Sequence, residues 1–90
     1  LAFAFPTNTP IVPGHILIIP KRHIKYFEEA TLDEMIAVEE LRAKLKIALV
    51  KTFDAKGFNY AWNEEKIGGQ SVPHFHLHIV PRKENDEGIH

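Results

Sequence analysis

The chain has 90 residues, 44% of them hydrophobic and 26% charged, a balance typical of one small globular domain with a single hydrophobic core. Its formal net charge of -1 excludes a general electrostatic attraction to nucleic acids or to anionic membranes. No apolar run approaches the roughly 20 residues that span a bilayer, and no signal-peptide pattern is visible. The chain contains no cysteine, which excludes disulfides and thiolate chemistry and favours a cytoplasmic location.

The first third of the chain predicts two strands. Residues 1–5 predict a short strand that ends at Pro6, and a turn-forming segment follows. Residues 16–19 form a continuous apolar run before Pro20, which predicts a strand buried on both faces. Residues 24–29 predict a short helical piece. Because the chain opens directly in the first strand and without Met, we expect that an N-terminal segment is missing.

A capping box predicts the start of a long helix, with Thr31 as the N-cap and Glu34 three residues later. We expect this helix to run to about Phe53 and to end at Gly57, since glycine readily adopts the left-handed conformation of a helix stop. At about 100° per residue, its apolar side chains fall into two stripes. One stripe contains Leu32, Ile36, Ala43, Ile47 and Val50, and the other contains Val38, Leu41, Leu45 and Leu49. A helix on one sheet needs one stripe, so the second predicts burial against the missing segment or a second subunit.

The last third predicts two more strands and a connecting loop. Residues 58–63 alternate in the manner of a strand, and residues 74–80 alternate histidine with apolar side chains. The loop between them, residues 64–73, is rich in glycine and hydrogen-bonding groups. The whole chain is therefore predicted to be α+β with an antiparallel sheet, as one domain over residues 1–82 followed by a polar tail over residues 83–90.

The histidine segment is the chemically distinctive part of the sequence. A period of two places His74, His76 and His78 on one face of an extended strand and the apolar residues between them on the other. The apolar face can then enter the core while the imidazoles remain accessible. Because imidazole changes charge near neutral pH, such a row can transfer protons, attack an electrophile or bind a metal.

Three interpretations of this row are open. The first is a solvated strand face without a chemical role, although Thr, Lys or Glu would serve that purpose better. The second is a zinc or copper site, for which His74 and His78 lie far apart, at roughly 13 Å along an extended strand. The third is nucleophilic catalysis at phosphorus. A neutral imidazole would attack, neighbouring histidines would donate hydrogen bonds to phosphate oxygens, and Ser71 would relay a proton to the leaving group.

The pattern His-φ-His-φ-His-φ-φ, in which φ is apolar, is complete in residues 74–80 and resembles the signature of the histidine triad (HIT) superfamily of nucleotide hydrolases and transferases. Other stretches resemble the family as well. Residues 69–72, Gly-Gln-Ser-Val, precede the triad at the family spacing, and Asn63 lies seven residues before the glutamine of that loop. Residues 13–20 resemble the family's upstream strand.

The resemblance implies an antiparallel sheet of about five strands flanked by one long and one short helix, usually in a homodimer with one continuous sheet. It implies that AMP or GMP is transferred from a purine nucleotide to His76 and then to water, without a cofactor. His74 would orient His76 through its backbone carbonyl, and His78 would contact phosphate. The implied catalytic residues are His74, His76, His78 and Ser71, and the implied substrate-binding residues are Phe5, His15, Ile16, Asn63, Gly69 and Gln70. Because the family's cysteine-bearing N-terminal hairpin is absent from this chain, no zinc is expected.

The activity that the resemblance implies is cleavage of nucleoside 5′-phosphoramidates, phosphate esters or dinucleoside polyphosphates through a covalent nucleotidyl-histidine. A triad that ends in histidine rather than glutamine favours the hydrolase branches, but the sequence does not separate a phosphoramidase from a polyphosphate hydrolase. The alternatives are a purine-nucleotide-binding module without catalysis and a histidine-rich metal-binding domain. The family's usual ribose-binding position is occupied here by Thr7, with Asn8 beside it.

Overall fold

The computed structural model describes residues 1–8, 10–70 and 72–84. In this part of the chain, four strands form one antiparallel sheet in the order β1-β2-β4-β3. The strands are β1 (Ala2–Pro6), β2 (Ile16–Pro20), β3 (Gly57–Ala61) and β4 (Leu77–Arg82). The helix α1 (Leu32–Phe53) packs against β1, β2 and β4. No helix of the described residues is long and apolar enough to cross a membrane.

The predicted α+β class with an antiparallel sheet is confirmed, with four described strands where about five were expected. The short helical piece predicted over residues 24–29 is only a 3-10 turn, Phe27–Glu29. Ile24 explains the difference, because its side chain is buried in the core and its carbonyl accepts a hydrogen bond from the distant backbone N–H of Phe75. A carbonyl used in this way is not available to a helical turn. Of the predicted tail over residues 83–90, only Lys83 and Glu84 lie within the described residues, so the domain boundary stays a prediction.

The capping box of α1 is confirmed. The Glu34 backbone N–H donates to Thr31 Oγ1 at 3.1 Å, and the Thr31 backbone N–H donates to Glu34 Oε1 at 2.8 Å. The predicted stop at Gly57 is wrong, because the left-handed residue is Asp54, with a φ of +54°. Aspartate tolerates this conformation better than most residues. Gly57 is instead the first residue of β3, paired with Arg82.

The core lies between α1 and one face of the sheet, and it includes seven buried hydrophobic residues: Ile18, Ile24, Val38, Leu49, Phe75, Leu77 and Ile79. Full burial of an aliphatic side chain of this size stabilises a fold by about 1.5–3 kcal/mol. Val38 and Leu49 come from one predicted stripe of α1. The other stripe is exposed to solvent, and the exposed fractions of Leu32, Ile36 and Ile47 are 72%, 46% and 60%. The two-stripe prediction is therefore confirmed, while the partner that covers the exposed stripe remains a prediction.

Strand β2 has one covered face and one open face. Ile18 and Pro20 are buried toward the core, whereas Leu17 and Ile19 are half-buried on the opposite side of the sheet. The prediction that this strand is buried on both faces is therefore wrong for its second face. That face lines a cavity instead of packing against a helix.

Candidate functional site

Strand register brings the candidate site together on the face of the sheet opposite to α1. Leu17 of β2 pairs with His78 of β4 on one side and with Phe5 of β1 on the other. Residues paired directly across antiparallel strands point to the same face, so these three side chains form a row across the sheet. A cavity of about 430 Å³ lies there, a size that suits a small-molecule ligand. Its lining consists of Phe5, Pro6, Thr7, Asn8, Leu17, Ile19, Val72, His74, His76 and His78.

The alternation predicted for the histidine segment is confirmed. His74, His76 and His78 line the cavity, while Phe75 and Leu77 are buried on the other side, at 2% and 8% exposure. The predicted strand, however, begins at Leu77 rather than at His74. The backbone before it bonds outside the sheet, because the N–H of His74 donates to the carbonyl of Val72 at 2.8 Å.

The ring of His76 is oriented by the backbone of the same segment. Its Nδ1 lies 2.8 Å from the carbonyl oxygen of His74. A carbonyl oxygen can only accept a hydrogen bond, so the proton of the neutral ring must be on Nδ1. The lone pair of Nε2 is then free to act as a nucleophile or as a base.

The protonation of His78 is fixed through His15. The backbone N–H of Ile11 donates to His15 Nδ1 at 3.1 Å, so in the neutral ring His15 carries its proton on Nε2. This Nε2 donates to His78 Nδ1 at 2.9 Å, which places the His78 proton on its own Nε2. That nitrogen is buried and has no hydrogen-bond partner among the described residues. His78 therefore presents an unused donor beside His76, whose ring centroid is 5.0 Å away.

Burial favours the neutral forms of His78, His15 and His74. Burial, and after it the positive charges that His76 and His15 can carry, lower the pKa of His78 to about 4. Burial also lowers the pKa of His15. For His74, burial is the largest cause of a lowered pKa, followed by the neighbouring His23. At neutral pH the hydrogen bonds that link Ile11, His15 and His78 are therefore those of neutral imidazoles.

His23 is a contact of the histidine segment that the sequence did not single out. Its ring meets the edge of His74 with centroids 4.8 Å apart. It follows the basic residues Lys21 and Arg22 after β2, and the pairing of β2 with β4 brings this turn beside the triad. The cavity residues Leu17 and Ile19 were also missed. The period of two along β2 is the signal that could have found them.

The loop residues predicted to bind substrate do not line the cavity. Gln70 is 5% exposed, and its Oε1 accepts a hydrogen bond from the Glu65 backbone N–H at 3.1 Å. The side chain of Asn63 packs beneath Gly69, where an added Cβ would lie 3.3 Å from Asn63 Nδ2. Ser71 lies outside the described residues.

Two other predicted residues are placed differently from Phe5, which lines the cavity as expected. Ile16 packs against the core rather than in the cavity, because it shares the α1 face of β2 with Ile18. His15 is 4% exposed and contacts the site through His78 rather than by lining the cavity. Among the described residues, no group of three or more His, Cys, Asp or Glu side chains could hold a metal ion.

The chain is similar to known proteins over nearly its whole length. Residues 1–85 match the family model of the HIT domain. An uncharacterized HIT-like protein of Mycoplasma genitalium is 42% identical over 88 residues, which are 98% of this chain and 62% of that protein. The asymmetrical bis(5′-nucleosyl)-tetraphosphatase of Schizosaccharomyces pombe is 36% identical over 86 residues, which are 96% of this chain and 47% of that protein.

The fold is similar to solved structures as well. The crystal structure of Plasmodium falciparum diadenosine triphosphate hydrolase in complex with cyclomarin A matches with a TM-score of 0.88 and 33% sequence identity. The match covers 94% of this chain and 58% of that one. This chain thus spans between about half and two thirds of the length of these relatives.

Proposed function

The chain belongs to the HIT domain family, and we propose that it is a hydrolase that transfers a nucleotidyl group from its substrate to His76 and then to water. The observation that carries this proposal is the hydrogen bond from His76 Nδ1 to the His74 carbonyl, which leaves Nε2 unprotonated beside a cavity. Two relatives support the substrate class, since they are named as hydrolases of a bis(5′-nucleosyl) tetraphosphate and of diadenosine triphosphate.

In the first step, His76 Nε2 attacks the α-phosphorus of the nucleotide, and the bond from phosphorus to the leaving group breaks. The ring becomes a positively charged phosphoimidazole that keeps its proton on Nδ1, and the His74 carbonyl 2.8 Å away stabilises this charge. The Nε2–H of His78 donates to a phosphoryl oxygen, which gives this buried donor a partner. We assign to Ser71 the relay of a proton from solvent to the leaving group, so that its hydroxyl is restored as the proton passes.

In the second step, water attacks the same phosphorus and the bond to His76 Nε2 breaks. The nucleoside monophosphate leaves, one proton is released from the water, and the ring returns to its neutral form. The chain from Ile11 through His15 to His78 keeps its donor direction through both steps, because its first member is a backbone N–H that cannot accept.

The side chains that line the cavity support three binding regions, one each for the base, the ribose and the phosphate of the substrate. Phe5, Leu17 and Ile19 form the apolar part, where the purine base would pack. Thr7 and Asn8 both line the cavity, and their side chains can hydrogen-bond the ribose hydroxyls. The third region is the phosphate site beside the triad, at which Asn63, Gly69 and Gln70 would act through the position of their loop. Ile16 supports β2 from the core.

We further propose that two copies of the chain form a homodimer. The exposed stripe of α1 includes Ile36, Ile47 and Val50, and it is too apolar for a surface in contact with water alone. Strand β3 is an edge of the sheet, and an edge strand offers unpaired backbone groups to a second strand. A two-fold axis beside β3 would pair the two edges and cover both helix stripes.

A substrate panel tests the proposed hydrolase. Adenosine 5′-phosphoramidate, diadenosine triphosphate and diadenosine tetraphosphate are incubated with the protein and with His76→Ala, and the nucleotides are separated by chromatography. The proposal predicts release of AMP from at least one substrate by the wild type and none above background by the variant. Binding of AMP by both proteins without turnover of any substrate would instead identify a nucleotide-binding module.

A further inference from the structure

Glu65 holds a backbone conformation that almost only glycine adopts, with a φ of +63° and a ψ of 162°. It stands at the start of the loop that leads to the histidine segment. Its carbonyl accepts hydrogen bonds from the backbone N–H groups of Gly68 at 3.1 Å and of Gln70 at 2.9 Å. Its own N–H donates to Gln70 Oε1. This strained residue therefore organises the loop around itself.

The side chain of Glu65 explains how the strain is held. Its carboxylate accepts a hydrogen bond from the Tyr26 hydroxyl, and the ammonium of Lys25 lies 3.2 Å from the same carboxylate. The Tyr26 hydrogen bond and then Lys25 hold the pKa of Glu65 below its usual range, so the carboxylate is ionised at neutral pH. These three side chains form what we call the Glu65 tie.

The Glu65 tie joins the loop to a rigid part of the chain. Ile24, next to Lys25, is buried in the core, and its carbonyl accepts from the Phe75 backbone N–H at 2.6 Å. The backbone N–H of Tyr26 donates to Glu29 Oε1 at 2.9 Å. One short segment after β2 thus binds both ends of the loop, at Glu65 and at Phe75, directly beside His74 and His76.

We propose that Glu65 is a positioning residue for nucleotidyl transfer, because the Glu65 tie sets where residues 68–70 lie relative to the histidine segment. This inference rests on the proposed function, in which Gly69 and Gln70 act on phosphate through the position of their loop. The tie holds Glu65 in its strained backbone conformation through contacts from outside the loop. Without the tie, the loop relaxes toward other conformations, and residues 68–70 lose the position from which they act on phosphate in the proposed function.

Two single variants remove the Glu65 tie in different ways. Glu65→Gly removes the carboxylate but leaves a residue for which the observed backbone conformation is unstrained. Tyr26→Phe removes the hydroxyl and leaves Glu65 in place. Glu64→Ala is the matched control, since it removes an equal charge from the adjacent position without touching the tie. Glu65→Ala keeps the strain without the tie, so it should have a lower melting temperature than Glu65→Gly.

Turnover and amide hydrogen exchange are measured on the same proteins. The proposal predicts that Glu65→Gly and Tyr26→Phe each lower kcat about tenfold with little change in KM, because the loop is displaced at the transition state. The double variant should be no worse than either single one, since both break the same contact. Exchange of the amides of residues 68–70 should accelerate about tenfold in both, while Glu64→Ala should match the wild type.

The two readouts separate this inference from the proposed function. A wild type that turns over no nucleotide, with exchange accelerated in both tie variants, would end the proposed function and leave the tie standing. Unchanged exchange in Glu65→Gly and Tyr26→Phe would overturn the tie. Accelerated exchange with wild-type kcat would show that the tie only stabilises the loop, and it would overturn the positioning role.

Discussion

Nε2 of His15 donates a hydrogen bond to Nδ1 of His78 across 2.9 Å, and the backbone N–H of Ile11 determines that direction from the far side of His15. A backbone N–H cannot exchange donor and acceptor roles as an imidazole can. The backbone of the loop before β2 therefore determines which nitrogen of His78 carries the proton. It leaves the buried Nε2 donor of His78 without a partner among the described residues, and we propose that a phosphoryl oxygen of the substrate accepts from it.

Replacing His15 by Ala should release this orientation. His78 then equilibrates between its two tautomers and loses part of its donation to phosphate, so we expect kcat to fall about tenfold, equivalent to about 1.4 kcal/mol. Nitrogen-15 NMR of the His78 ring reports the tautomer directly. The wild type should show a proton on Nε2, and His15→Ala should show a mixture. A proton on His78 Nδ1 in the wild type would contradict the orientation.

Stability should fall in acid through His78. Its pKa is about 4 in the folded chain against the ordinary 6.5, so the folded state favours the neutral ring. As the pH falls, His78 of the unfolded chain binds a proton before His78 of the folded chain does. The contribution of the neutral ring to the free energy of unfolding is therefore complete above about pH 6.5 and is lost as the pH falls toward 4. Urea unfolding at pH 8 to 4 measures the loss. His78→Asn should flatten the pH dependence of the free energy of unfolding between pH 6.5 and 4. A variant with the same pH dependence as the wild type would contradict the lowered pKa.

A second acid window should come from Glu34. The Arg22 guanidinium, which contacts it at 2.7 Å, is the largest cause that holds the pKa of this carboxyl at about 2, followed by the Thr31 backbone N–H. Its stabilising contribution is present above the ordinary value of 4.5 and is lost between about pH 4.5 and 2. Glu34→Gln should weaken the pH dependence of unfolding in that range, to which Glu65 and Glu39 also contribute through their lowered pKa values, and leave the window of His78 unchanged. A variant that keeps the lower window in full would show that other carboxylates cause it.

Gly14→Ala should disturb both stability and catalysis. Gly14 has a φ of +88°, and an added Cβ would lie 3.0 Å from Pro81 and 3.2 Å from Phe53. We expect a loss of about 1–3 kcal/mol in the free energy of unfolding and a displaced His15, with lower kcat. Gly57→Ala is the control, because nothing lies within 4 Å of its added Cβ. Equal effects of the two substitutions would contradict the role of this close approach.

The proposed dimer predicts the effect of one charge on the exposed stripe. Ile47→Glu places a carboxylate at the centre of the expected interface, so the variant should sediment as a monomer at micromolar concentration while the wild type sediments as a dimer. Lys44→Glu changes charge on the polar side of α1 and should remain dimeric. A monomeric wild type, or a dimeric Ile47→Glu variant, would mean that the stripe is covered in another way.

The sequence predicted the parts of the fold that depend on local sequence patterns. The capping box at Thr31 and the alternation of the histidine segment are local patterns, and the structure retains both. The predicted end of α1 at about Phe53 is confirmed, but the left-handed residue that follows is Asp54 and not Gly57. Gly57 is already part of β3, where it pairs with Arg82, and a strand pairing of this kind is not visible in the local sequence pattern.

The site was predictable where it depends on strand alternation and not where it depends on the loop. Phe5 and the triad face the cavity because neighbours across strands share a face. Gln70 was expected at the phosphate, but its Oε1 is bonded to Glu65, whose glycine-like backbone no propensity would suggest. Such a conformation follows from contacts with Tyr26 and Lys25, which are about 40 residues away in the sequence.

Rapid chemical quenching tests most directly whether Nε2 of His76 forms a covalent bond to phosphorus. The protein is mixed with a nucleotide substrate labelled at the α-phosphate, quenched within milliseconds, digested and sequenced by mass spectrometry. We expect a nucleotidyl group on His76 in the wild type and no labelled peptide in His76→Ala. The dissociation constant of the variant for AMP should stay within a few-fold of the wild-type value. A nucleotidyl group on another residue, or wild-type turnover by His76→Ala, would contradict the role of His76 as the nucleophile.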